Sequence, residues 1–168
     1  MFLILGSLTA NAQRGNNALE VGVEAGITAG EFADFRNSPG VYGKLLFGVG
    51  TSGQVTLATG YSSYTLKHSN RLYKEKAIIK PIMAGYRWHA HGFYVEPQLG
   101  YGFYDMITKV QSGGTTTKIT DSEGAVTWAL GGGFRINKLD LGVRYQQGSP
   151  GGSNVSLFAI HAGYQFSF

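Results

Sequence analysis

A pair of histidines one residue apart, His89 and His91, is the first grouping in this sequence that could hold a metal ion. Alternate residues of an extended segment project to the same side, so both imidazoles could reach one zinc. No third ligand sits at a matching spacing, and the stretch HAHG has the composition of a short turn. A second grouping, His68-Ser69, would place a base beside a hydroxyl if Glu75 or Asp121 oriented the imidazole. That is hydrolase chemistry, although the spacing matches no nucleophile motif. Gly48 to Gly53 fits G-x-G-x-x-G, but phosphate binding by that pattern needs a helix to follow. QVTLATGY follows instead and alternates like a strand, so these glycines mark a turn. Asp34, Asp121 and Glu123 could touch divalent cations, yet no spacing fixes them. Lys67, His68, Arg71, Lys74 and Lys76 make a basic connection, suited either to anionic phosphates or to water.

The other charges show an order of their own. Glu20, Glu24, Lys44, Arg87, Glu96, Arg135, Asp140 and Arg144 all fall on the polar parity of alternating stretches. The four acids and four bases cancel. If that parity faces an enclosed space, an unpaired charge there is costly, whereas paired and hydrogen-bonded charges are tolerated. These eight residues are therefore expected to form an internal ion-pair network.

Composition narrows the class. The 168 residues suggest one domain. Charged residues make up only 14%, against about 25% in ordinary soluble domains. Glycine is abundant, and cysteine is absent, so no disulfide framework or thiolate metal site can exist. A net charge of +4 without a charged block excludes a nucleic-acid arm. No apolar run is long enough for a transmembrane helix. Residues 1–12, MFLILGSLTANA, read as the end of a secretory signal peptide closing on an A-x-A cleavage pattern, which leaves residues 13–168 as the domain.

Eight stretches of that domain alternate. In the first, Leu19, Val21, Val23, Ala25 and Ile27 oppose Glu20, Gly22, Glu24 and Gly26. In the fifth, Phe93, Val95, Pro97, Leu99, Tyr101 and Phe103 oppose Tyr94, Glu96, Gln98, Gly100, Gly102 and Tyr104. The fourth is irregular at its start: Lys80 lies on the greasy parity, and Pro81 cannot donate to a ladder, so a bulge or irregular pairing is expected there. Connections alternate between longer ones (the long GEFADFRNSPG, YTLKHSNRLYKEK and DMITKVQSGGTTTKITDSEG and the medium QGSPGGSN) and short ones (GTSG, HAHG, Asn137-Lys138). Such alternation marks a membrane barrel with short turns at one end and outward loops at the other. The stretches are about nine to thirteen residues long, near the roughly 9–11 that cross a bilayer at a tilt. Aromatics fall near both ends, as two interfacial girdles should. The expected fold is all-β: an eight-stranded antiparallel up-and-down transmembrane barrel, its bore nearly filled by side chains.

Stretches such as IIKPIMAGYRW, FYVEPQLGYG, LDLGVRYQQG and HAGYQFSF resemble the small eight-stranded outer-membrane β-barrel families of Gram-negative bacteria. The likeness is to outer membrane protein X, the barrel of outer membrane protein A and barrel-domain proteins of Bacteroidetes. This resemblance implies integral outer-membrane localisation. It also implies that the barrel-assembly machinery reads Tyr164, Phe166 and Phe168 in the last strand. No cofactor and no nucleic acid is implied, and a monomer is expected. Membrane lipid and lipopolysaccharide are the expected partners, the latter at Lys67, Arg71, Lys74 and Lys76. The functional expectation is a non-enzymatic structural or surface-interaction protein with a plugged lumen. Its alternatives are a lipid A-modifying enzyme and a small-solute pore.

Overall fold

The computed structural model describes residues 17–30, 35–66, 73–112 and 115–168. Eight strands follow one another around a closed barrel: β1 (Ala18–Gly30), β2 (Phe35–Val49), β3 (Gly53–Leu66), β4 (Tyr73–Ala90), β5 (Phe93–Ser112), β6 (Thr115–Ile136), β7 (Leu139–Gly148) and β8 (Val155–Ser167). Every neighbour is antiparallel. Closure is made by β1 against β8 along their whole length, from Ala18 opposite Ser167 to Gly30 opposite Val155. A single 3-10 turn at Pro150–Gly152 joins β7 to β8. Closure removes the edge that an open sheet would present, so each backbone group in the band finds a partner without water.

Alternation sorts the side chains as the sequence predicts. Glu20, Gln54, Arg87, Glu96 and Asp140 are buried in the lumen, while Ile27, Phe93, Leu99, Val126 and Ile160 stay exposed outside. The short connections are tight turns. Gly50 (φ 66°) opens the turn after β2, where the G-x-G-x-x-G residues lie. His91 and Gly92 both adopt positive φ, 52° and 87°, as a two-residue hairpin turn requires.

Two expectations need correction. The long connections are largely strand rather than loop. β5 and β6 continue as a paired hairpin from Phe93 opposite Phe134 out to Ser112 opposite Thr115. β7 pairs with β6 only from Thr127 onward, so the outer part of that hairpin rises beyond β7, while on its other side β5 stays paired with β4 as far as Val110 opposite Tyr73. At Lys80-Pro81, pairing is indeed irregular: the β3–β4 ladder skips from Thr59 opposite Ile82 to Ser62 opposite Ile79. The register nevertheless stays continuous, and no residue bulges there. The register shift lies instead in β2, between Ser38 and Val41. Pro39 lacks the N–H that the ladder needs, which makes this the place where an extra residue is accommodated. Residues 1–12 lie outside the described residues.

Candidate functional site: a filled lumen and a basic outer face

The lower half of the lumen, toward the short turns, is built around Arg87 on β4. Its guanidinium is fully buried, and three strands supply it with carboxylates. Nη1 lies 2.7 Å from Asp140 Oδ2 and 3.3 Å from Glu20 Oε2, and Nε donates to Glu96 Oε2 at 2.7 Å. Lys44 donates to Glu96 at 3.0 Å and lies 3.9 Å from Glu20. Five of the eight charges singled out from the sequence thus meet in one cluster. A fixed guanidinium fork suits several carboxylates better than an ammonium would.

The remaining lone pairs are taken by neutral groups that sequence reasoning passed over. Tyr42 donates to Glu20 at 2.8 Å, Tyr94 to Asp140 at 2.6 Å, and Thr56 and Gln98 to Glu96 at 2.9 and 2.7 Å. Gln165 donates to Glu20 at 2.9 Å. The Tyr94 ring lies under Arg87, 3.8 Å from the guanidinium carbon, in cation–π contact. His161 Nε2 sits 3.3 Å from Asp140 Oδ1. Parity could have found all of these residues, because each occupies an inward position. Glycines make the space: a Cβ on Gly22 would stand 2.6 Å from the Tyr42 ring.

Three of the eight charges lie apart. Arg144 and Glu24 form a separate pair at 2.6 Å, with Ser62 donating to the same Glu24. Arg135 reaches no acid among the described contacts and bonds Gln165 Oε1 at 3.3 Å. Between pair and cluster a void of about 20 Å³ is lined by Glu24, Tyr42, Lys44, Arg144 and His161, enough for one water.

The upper part of the lumen holds an apolar layer, which the polar reading of the inward face did not foresee. Tyr64, Ala77, Ile79, Tyr104, Ala125, Val155 and Leu157 pack together, with Met106 against them. The Tyr104 hydroxyl is spent on Thr127 at 2.8 Å.

Outside, aromatics pair at both ends of the apolar band. Tyr86–Trp88, Phe93–Phe134 and Tyr164–Phe166 contact near the short turns; Tyr101–Phe103 and Trp128–Tyr145 contact toward the other end. Lys80 projects outward at the upper border, opposite Phe103, and pairs with Asp105 at 2.6 Å. That bond holds the Asp105 carboxyl, beyond the aromatic border, below its ordinary range.

The other candidate residues are dispersed. His89 turns to Gln54 at 2.7 Å, while His91 is exposed at the tip of its turn. No group of three or more His, Asp or Glu among the described residues could hold a metal. Asp34, Lys67, His68, Ser69 and Arg71 lie outside the described residues. Lys74 and Lys76 belong to β4, and Asp121 and Glu123 to the tall part of β6.

A closed eight-stranded barrel, oily outside and filled by ion pairs and apolar side chains inside, is the architecture of the small transmembrane β-barrels. Solved structures agree on the fold. Ail, the attachment invasion locus protein of Yersinia pestis, solved in complex with the heparin analogue sucrose octasulfate, superposes with a TM-score of 0.70 at 16% identity, over 91% of this chain and 99% of that one. Neisserial surface protein A superposes with a TM-score of 0.57 at 14% identity, covering 90% and 97%. The N-terminal β-barrel domain of OprF from Pseudomonas aeruginosa gives 0.55 at 12% identity, covering 90% and 99%. No protein-family model matches the chain, and no curated protein does either.

Proposed function

We propose that this chain is an integral protein of a Gram-negative outer membrane, with a structural or surface-interaction role and no enzymatic activity. The carrying observation is the pairing of two features: an exposed apolar band around a closed barrel, and a lumen blocked by the Arg87 cluster and by an apolar layer above it. The first suits hydrocarbon and not water. The second argues against a pore, because a solute would have to displace both the Arg87 cluster and the apolar layer above it. Heat-modifiable migration of the protein from the membrane fraction tests the barrel. Planar-bilayer recording tests the closed lumen, and discrete conductance steps would overturn it. The lipid A acyl profile of cells with and without the gene tests the absence of enzymatic activity; a changed profile would refute it.

Two partner roles belong to this reading. The outward aromatics of β8 at Tyr164, Phe166 and Phe168 serve recognition by the barrel-assembly machinery, and the basic residues Lys67, Arg71, Lys74 and Lys76 meet lipopolysaccharide. Support for the second comes from the neighbouring basic positions on the tall hairpin. Ail's complex with a sulfated saccharide analogue gives a precedent for an anionic ligand on this fold.

A further inference from the structure

Strand register brings three lysines side by side. Lys74 of β4 stands opposite Lys109 of β5, and Lys109 stands opposite Lys118 of β6. Neither ladder slips between this row and the barrel. The row therefore keeps the parity of Ile82, Leu99 and Val126, whose side chains face outward. One row lower, Arg36, Thr65, Lys76, Ile107 and Thr120 lie in register across β2 to β6. Like charges directly opposite one another destabilise a sheet. Among the described residues no acid shares this row: Glu75, Asp121 and Glu123 occupy the opposite parity, and Asp105, on the same face, is bonded to Lys80. Lys109 and Lys118 are exposed.

Height selects the ligand. From Phe103 in the upper aromatic border to Lys109 is six residues, about 20 Å of strand and about 15 Å above the border at a tilt of roughly 40°. An ordinary phospholipid headgroup zone is about 5–8 Å deep on each side. A phospholipid phosphate therefore falls short of the row, whereas phosphates or carboxylates on the saccharide of a glycolipid stand level with it.

We propose that Lys109 and Lys118, in register with the backbone position of Lys74, form an anion-binding shelf on the side of the protruding hairpin, which holds the charged saccharide core of neighbouring outer-leaflet glycolipids. The proposal rests on the outer-membrane reading above. It places the recognised groups beside the barrel and not over its mouth, and it adds Lys109 and Lys118 to the residues that the sequence suggests. The phosphates are clamped by the ammonium groups of Lys109 and Lys118 on adjacent strands, with Lys76 contacting groups nearer the headgroups.

The test uses the full barrel in phospholipid nanodiscs, with purified phosphorylated lipopolysaccharide and its chemically dephosphorylated form as probes. Three proteins are compared: wild type, K109Q/K118Q, and K138Q, which removes a charge at the opposite end. All three are checked for heat-modifiable migration. The expected result is roughly tenfold weaker binding of the phosphorylated probe by K109Q/K118Q, with a shallower salt dependence, and no change for K138Q. The dephosphorylated probe should bind all three alike. Equal binding of the phosphorylated probe by wild type and K109Q/K118Q would overturn the shelf while leaving the outer-membrane reading intact. If a heparin fragment depends on Lys109 and Lys118 and the glycolipid does not, the shelf serves a soluble glycan, and the proposal fails. Failure of wild type to prefer phosphorylated over dephosphorylated glycolipid would overturn the shelf together with the glycolipid partnership.

Discussion

Arg87 stands where removal of one side chain has the largest consequence. It neutralises Glu20, Glu96 and Asp140 in a space without bulk water, and Lys44 alone cannot replace it. Breaking such a buried arrangement from one side costs about 3–5 kcal/mol. Arg87→Ala should lower the unfolding free energy by that much in a urea titration of the barrel in lipid vesicles. Arg87→Met combined with Glu96→Gln should cost less than the sum of the two single changes, because the residues share a partner network. A contrasting pair of glycines tests the packing. A Cβ at Gly22 would meet the Tyr42 ring at 2.6 Å and the Ala162 carbonyl, whereas a Cβ at Gly43 would meet nothing within 4 Å. Gly22→Ala should cost about 1–3 kcal/mol, and Gly43→Ala should be close to neutral, in the same titration.

Among the elements, β5 and β6 are the tallest; the outer part of β6 extends past β7, whereas that of β5 stays paired with β4 as far as Val110 opposite Tyr73. Joining Met106 to Asp121 through an Asn-Gly turn would excise the hairpin's tip while keeping a register pair at the cut. The shortened barrel should remain heat-modifiable, because the cut removes from the wall only the partners of Tyr73 to Lys76 at the outer end of β4, and it should bind phosphorylated glycolipid as weakly as K109Q/K118Q. The same hairpin shows where sequence stops being informative. From Phe93 to Phe103 lipid lies on one side and lumen on the other, so a period of two is imposed and is legible. Beyond Phe103 the outward face leaves the hydrocarbon, nothing demands an oily row there, and DMITKVQSGG and TTTKITDSEG read as loop although they pair. Lumen content was half legible for a related reason. Parity states which side chains turn inward, and so found Arg87 and its acids. It does not state what fills the space, so Ile79, Val155 and Leu157 were not recognised as an apolar layer, nor Tyr42 and Tyr94 as hydrogen-bond donors.

For the molecule as a whole, the apolar band fixes how the barrel sits in a bilayer. Leu99 lies near its middle and is 62% exposed. Leu99→Arg should destabilise the inserted barrel by about 2–4 kcal/mol, measured by unfolding from vesicles, because the charge would sit at the hydrocarbon midplane. Lys80 is tolerated on the same face because it lies at the upper border and has Asp105 as its partner. Asp105→Asn should therefore be felt more in thick bilayers than in thin ones, where the freed ammonium reaches water easily.

The two halves of the lumen make the barrel one-sided toward solvent. Toward the short-turn end the charged cluster continues into polar side chains, Gln54 bonded to His89 and Gln165 to Arg135, whereas toward the outer end it is followed by the aliphatic and phenolic layer around Tyr64, Ile79, Val155 and Leu157. Hydroxyl exchange at Tyr42 and Tyr94 should therefore be faster when deuterium is supplied to the short-turn compartment alone than to the outer one.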